Sequence, residues 1–131
     1  MCGIAGFFYS SNITNNIENN IKSMLSSISH RGPDNEGYYI DKNNKLVLGH
    51  RRLSIIDLSS KGNQPMTSYR KNYLISFNGE IYNYINLRDN LKKEFSFNSW
   101  NSNSDTETIL NYIEFYGIHK TLDDIDGMFC M

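Results

Sequence analysis

Cysteine, proline and tryptophan are scarce in this 131-residue chain, which has two Cys, two Pro and one Trp. Cys2 and Cys130 lie near opposite ends, whereas small secreted domains built on disulfides usually carry four or more cysteines. No apolar run approaches the roughly 20 residues that a membrane helix needs. The N-terminal apolar stretch from Ile4 to Tyr9 is too short for a signal peptide and has no basic segment before it. A surplus of charge is missing as well. Thirteen Lys and Arg oppose 14 Asp and Glu, so no basic surface is expected for nucleic acid or an anionic membrane. His30, His50 and His119 are scattered, and no Cys/His spacing fits zinc, so no metal is expected. These absences point to a reducing, cytoplasmic setting and free thiols.

What remains is an ordinary globular composition, 39% hydrophobic and 21% charged, in a length that suits one domain over residues 1–131. Gly3 to Tyr9 reads as a buried strand, and "SSNITNN" as a polar turn. Ile17, Ile21, Met24, Leu25 and Ile28 then recur at helical spacing. Gly32-Pro33 stops that helix. "EGYYID" and "KLVLGHRR" flank "KNN" as a hairpin, and "LSIIDL" reads as another short strand. In "YLISFNGEIYNY" the Asn78-Gly79 pair marks a hairpin turn between two strands. Tyr84, Leu87, Leu91 and Phe95 share the face of a second helix. Ser104 and Glu107 form a capping box for a third, with Ile109, Leu110, Ile113 and Tyr116 as its buried face and Gly117 as its stop. "GMFCM" is a final apolar strand with no return partner after it, which leads us to expect a fragment of a longer protein. The pattern as a whole is α+β, with mostly antiparallel strands.

Cys2 follows Met1 directly. A cysteine is small enough for methionine aminopeptidase to remove the residue before it. Processing would leave a thiol and a free α-amine on one residue. A thiol with a reference pKa of about 8.5 is mostly protonated at neutral pH, and an α-amine near 7.7–8.0 can take its proton. The plain alternative is a small apolar residue at the start of a strand.

The segments "MCGIAG", "HRGPDNEG", "GHRRLSIIDLS", "GNQPM", "FNGEIYNY", "SDTETIL" and "DGMF" occur in this order along the whole chain. Together they resemble the glutamine-hydrolysing domain of the glutamine-dependent asparagine synthetases. Those are class II glutamine amidotransferases and N-terminal-nucleophile hydrolases. The resemblance implies a four-layer αββα fold, antiparallel sheets between helices, incomplete here toward the C-terminus. It also implies that Cys2 attacks the side-chain amide of L-glutamine. Asn78 and the Gly79 N–H would form the oxyanion hole. Arg52 would bind the substrate carboxylate and Asp105 its ammonium. Leu53, Ser54, Ile55, Ile56 and Glu80 would line the pocket.

By the same resemblance, ammonia passes to a C-terminal synthetase domain that uses ATP and Mg to amidate aspartate. No "SGGxDS"-type loop occurs in these residues, so no cofactor is expected for this domain. A homodimer of the full-length protein is a further implied partner. Two alternatives stand beside this reading: a sugar acid as ammonia acceptor in polysaccharide synthesis, and a non-catalytic module of the same fold. His30 to Asp34 has no derivable role, Gln64-Pro65 looks structural, and Cys130 is expected in a buried strand position.

Overall fold

Apolar residues alternating with small and polar ones build a three-stranded antiparallel sheet at the N-terminal side of the chain. In the computed structural model, which describes residues 1–10 and 16–131, β1 (Gly3–Phe8) lies beside β3 (Leu46–Arg52), with Gly3 opposite Arg51. On the other side of β3 runs β2 (Asn35–Asp41), with Asn35 opposite Arg52. The β2–β3 hairpin is the expected one. Asp41 closes its turn by accepting from the N–H groups of Asn43 and Asn44, both at 2.9 Å. Helix α1 (Ile17–Ser27) covers this sheet. Ile21 and Leu25 are fully buried against Val47, while Met24 lies off the buried face, 37% exposed. The turn expected at "SSNITNN" falls largely on residues 11–15 and lies outside the described residues.

The larger core sits among the remaining elements. Strand β4 (Met66–Thr67) pairs with β5 (Leu74–Ile75), and β6 (Asn78–Ile81) pairs with β7 (Gly127–Cys130). Helices α2 (Tyr84–Phe95), α3 (Asp105–Tyr116) and α4 (Ile118–Asp124) complete four α-helices among the described residues. Ile75, Phe77, Ile81, Leu87, Leu91, Phe97, Ile109, Leu110 and Tyr112 form one buried cluster, with Trp100 packed on it. The domain is therefore α+β with antiparallel sheets, as its sequence pattern indicates.

Several local expectations do not hold. "LSIIDL" is a loop: Ile55 and Leu58 are 71% and 79% exposed, and the segment's polar backbone groups are taken up by side chains. Asn78-Gly79 is not a hairpin turn but the start of β6, because β5 pairs backward with β4 and leaves β6 to a strand 46 to 52 residues further on. Glycine suits position 79 there, since a Cβ would come within 2.6 Å of Phe129 Cα across the ladder. That same pairing gives "GMFC" a partner earlier in the chain, where none was expected. Cys130 is exposed, not buried. Helix α4 was also unforeseen: Gly117, at φ +81°, ends α3 and opens the next helix in one residue.

Candidate active site

A cavity of about 130 Å³ opens where the two halves of the domain meet. Its wall includes Met1 and Cys2 at the head of β1, Arg52 at the end of β3, Asn78, Gly79 and Glu80 from β6, and Asp105 and Thr106 at the start of α3. Sequence-distant residues thus meet in one place: Cys2, Arg52, Leu53, Ile55, Ile56, Asn78, Gly79, Glu80 and Asp105 all line it. Ser54 does not. Its backbone N–H turns away to donate to Asp34 Oδ2 at 2.7 Å.

The thiol is fixed by the residue after β3. Leu53 N–H donates to Cys2 Sγ at 3.4 Å, and Sγ stands 3.7 Å from the Leu53 carbonyl oxygen. Arg31 holds the Cys2 backbone from the other side, its Nε–H donating to the Cys2 carbonyl at 3.0 Å. Asp34 closes the same loop, with its N–H donating to Arg52 O at 3.0 Å and its carboxylate accepting from Ser54. The His30–Asp34 segment, silent in the sequence, is therefore the clamp that joins the strand of Cys2 to the loop after β3. No local pattern reveals this, because each bond spans 18 residues or more.

Arg52 is only 7% exposed and makes no ion pair: the described ion pairs are Lys22–Glu18, Arg51–Glu36 and Lys120–Asp124. Its Nη1 donates to the Ser59 carbonyl at 2.6 Å and to Asn63 Oδ1 at 2.9 Å, and its Nη2 donates to the Asp57 carbonyl. A guanidinium has five N–H donors. Three are used here, which leaves Nε–H and one Nη2–H without a partner among the described residues. A carboxylate is a ligand that can accept from two guanidinium N–H groups at once. Gly62 packs on the guanidinium so closely that a Cβ would lie 2.9 Å from Cζ. Arg51, the neighbouring candidate, is spent on the surface in its pair with Glu36 at 2.8 Å.

Asp105 is the opposite case, a carboxylate 5% exposed and in no ion pair. It accepts from Ile81 N–H at 3.0 Å and from Thr106 N–H at 2.8 Å. Burial raises its pKa above the ordinary aspartate range against these two hydrogen bonds, and the nearby Glu80 charge adds to the rise. The helix end that carries Asp105 is built by its neighbours. Ser104 Oγ accepts from Glu107 N–H at 3.2 Å, as a capping box requires. Glu107 departs from the box: its carboxylate accepts from Asn101 and Ser102 N–H instead. Arg88 pins the same loop by donating to the Ser102 and Ser104 carbonyls while lying 4.1 Å over Trp100.

Among the described residues no group of His, Cys, Asp and Glu is arranged to hold a metal ion, and no helix is long and apolar enough to cross a membrane.

A domain with a thiol at the mouth of a cleft, and with a buried cation and a buried anion left unpaired inside it, belongs among enzymes that act on small polar molecules. The family is then plain: the glutamine amidotransferase domain matches residues 1–131, and the chain belongs to it. The chain is 42% identical to asparagine synthetase [glutamine-hydrolyzing] 1 of Bacillus subtilis, over 98% of this chain and 20% of that protein. It is 37% identical to asparagine synthetase B [glutamine-hydrolyzing] of Escherichia coli, over 98% of this chain and 22% of that protein. An amidase of Gibberella zeae is 36% identical over 90% of this chain and 18% of that protein. The chain thus spans about a fifth of the length of these relatives.

Proposed function

We propose that this domain hydrolyses L-glutamine to glutamate and ammonia with Cys2 as nucleophile. The observation that carries the reading is the pair of buried, unpaired charges in one cavity, Arg52 and Asp105. Burying an uncompensated charge is costly. An amino-acid zwitterion offers a carboxylate to Arg52 and an ammonium to Asp105, so one ligand relieves both. Its side chain then extends toward Cys2. The thiolate attacks the amide carbon, and the oxyanion that forms is met by Asn78 Nδ2–H and Gly79 N–H. The C–N bond breaks as the nitrogen takes a proton and leaves as ammonia. Water adds to the thioester and releases glutamate and the thiol.

The α-amine of Cys2 serves as the base once Met1 is gone. Met1 is 63% exposed and forms part of the cavity wall, so its removal both frees the amine and widens the cleft. Layering of the αββα type, a cytoplasmic location and the absence of any cofactor in this domain are parts of the same reading. So is delivery of the ammonia to a synthetase domain that holds ATP and Mg and amidates aspartate, within a homodimer of the full protein.

Mass spectrometry of untagged protein should find a chain that begins at Cys2, and a glutamate-release assay should find activity that Cys2→Ala abolishes. Full activity in a chain that retains Met1 would overturn the mechanism.

A further inference from the structure

Gln64 lies inside the "GNQPM" segment but has no place in the chemistry above. It is 6% exposed and reaches the wall of the cavity. Its amide joins the two sides of the site. Oε1 accepts from Phe77 N–H at 2.6 Å, and Nε2 donates to Thr106 Oγ1 at 3.3 Å. The orientation is fixed by the chemistry, since a backbone N–H can only donate and must meet the oxygen. Phe77 immediately precedes Asn78, and Thr106 immediately follows Asp105.

Phe77 stands between β5 and β6 and belongs to neither ladder. Side chains do the work of a strand partner there. Its N–H goes to Gln64, and its carbonyl accepts from His50 Nε2 at 2.9 Å. A carbonyl oxygen can only accept, so Nε2 carries the proton, and burial lowers the His50 pKa, which favours the neutral ring. The base of the brace is rigid as well. Strand β2 presses Gly37 against the Gln64 carbonyl group, so closely that a Cβ would come 3.2 Å from its carbon and closer to its oxygen.

We propose that Gln64 is a positioning residue that sets the distance between the oxyanion donors at Asn78-Gly79 and the ammonium-binding carboxylate of Asp105. This rests on the glutaminase reading given above. The two arms act on different stages of the reaction. The Phe77 arm aims groups that meet charge only in the transition state, so its loss lowers kcat. The Thr106 arm aims a group that holds an unchanging part of the substrate, so its loss raises KM.

The test is made in the natural protein, with whatever sequence its reading frame carries after Met131. Gln64→Leu cuts both arms and is expected to lower kcat roughly 10- to 100-fold, in line with the cost of small misplacements, and to raise KM for glutamine. Thr106→Val cuts one arm and should raise KM while kcat stays within about twofold. Gln64→Glu retains the acceptor for Phe77 and should recover part of the kcat that Leu loses. Calorimetry of glutamine binding to Cys2→Ala protein, with and without Thr106→Val, reads the second arm without turnover. A folded Gln64→Leu protein with parental kcat and KM overturns the inference. Should Gln64→Leu not fold, Thr106→Val decides alone: weaker glutamine binding supports the brace, and unchanged binding overturns it. Absence of glutamate release by the parental protein would instead bring down the glutaminase reading itself, and this inference with it, whereas undiminished release by Cys2→Ala would bring down Cys2 as its nucleophile. Loss of release in Cys2→Ala alongside parental Gln64→Leu brings down the inference alone.

Discussion

In the proposed reaction, Arg52 and Asn78 would meet the same ligand at different moments. Arg52 would hold a carboxylate that does not change during reaction. Removing a charged hydrogen bond costs about 1.5–3 kcal/mol. Arg52→Ala should therefore raise KM for glutamine by roughly 10- to 100-fold and leave kcat nearly intact. Asn78→Ala removes a donor for charge that appears only in the transition state, and a fall in kcat of roughly 100- to 1,000-fold is expected. Steady-state kinetics on both variants check this, and losses confined to KM in Asn78→Ala would refute its role. Asp105 adds a pH dependence. Its pKa is raised by burial, so its charge on the folded protein is lost on acidification at a higher pH than for an ordinary aspartate near 3.9. Only the ionised form pairs with an ammonium. KM should rise as pH falls through that raised value, and Asp105→Asn should flatten the acid side of the KM profile. The sign for stability is opposite: with a raised folded pKa, the contribution of Asp105 to folding is fullest at low pH and is lost as pH rises through that value. The place of Cys2, Arg52, Asn78, Gly79 and Asp105 in one cavity was legible because the family resemblance gives each of them a role, which mere membership of a motif does not. Arg31, Asp34 and Gln64 were not, because their partners lie 13 to 42 residues away in sequence.

At the scale of elements, the local signals served helices better than strands. α1, α2 and α3 follow from periodic apolar residues and from Ser104 and Gly117, whose effects act within a turn or two. "LSIIDL" has the composition of a strand, yet Arg52 takes the Asp57 and Ser59 carbonyls and Asp34 takes Ser54 N–H, so no ladder forms. Asn78-Gly79 carries a strong turn signal that fails because strand pairing is decided by the distant β7. Ser104 tests how much the site depends on its helix. Its hydroxyl caps α3 one residue before Asp105, and Ser104→Ala should cost about 1 kcal/mol of stability. Thermal denaturation would show this. The loosened helix start should also weaken glutamine binding, measurable by titration of Cys2→Ala protein.

For the whole molecule, the cavity draws on two separate cores. Cys2 and Arg52 stand at the ends of strands whose Val47 packs with Ile21 and Leu25, whereas Phe77 belongs to the larger cluster. A ligand that grips both sides should stabilise both. Glutamine at 100 times its Kd should add about 2.7 kcal/mol to the stability of Cys2→Ala protein. The fluorescence of Trp100, packed on the larger core, and amide exchange around Val47, in the smaller one, should shift to the same new midpoint. Stabilisation of one core alone would show that glutamine does not bridge them.

Residues directly opposite in an antiparallel pair project from the same face of the sheet. Asn78 is paired with Cys130, and Cys130 is exposed. A thiol reagent added to this protein therefore meets two sulfurs, an open one on β7 and a half-buried one at the cleft. A bulky adduct at Cys130 would stand beside Asn78 and could imitate modification of Cys2. Chemical-labelling experiments aimed at Cys2 thus call for a Cys130→Ser background. Conversely, an environment-sensitive dye placed on Cys130 of Cys2→Ala protein would sit one strand from Asn78 and signal when the cleft fills.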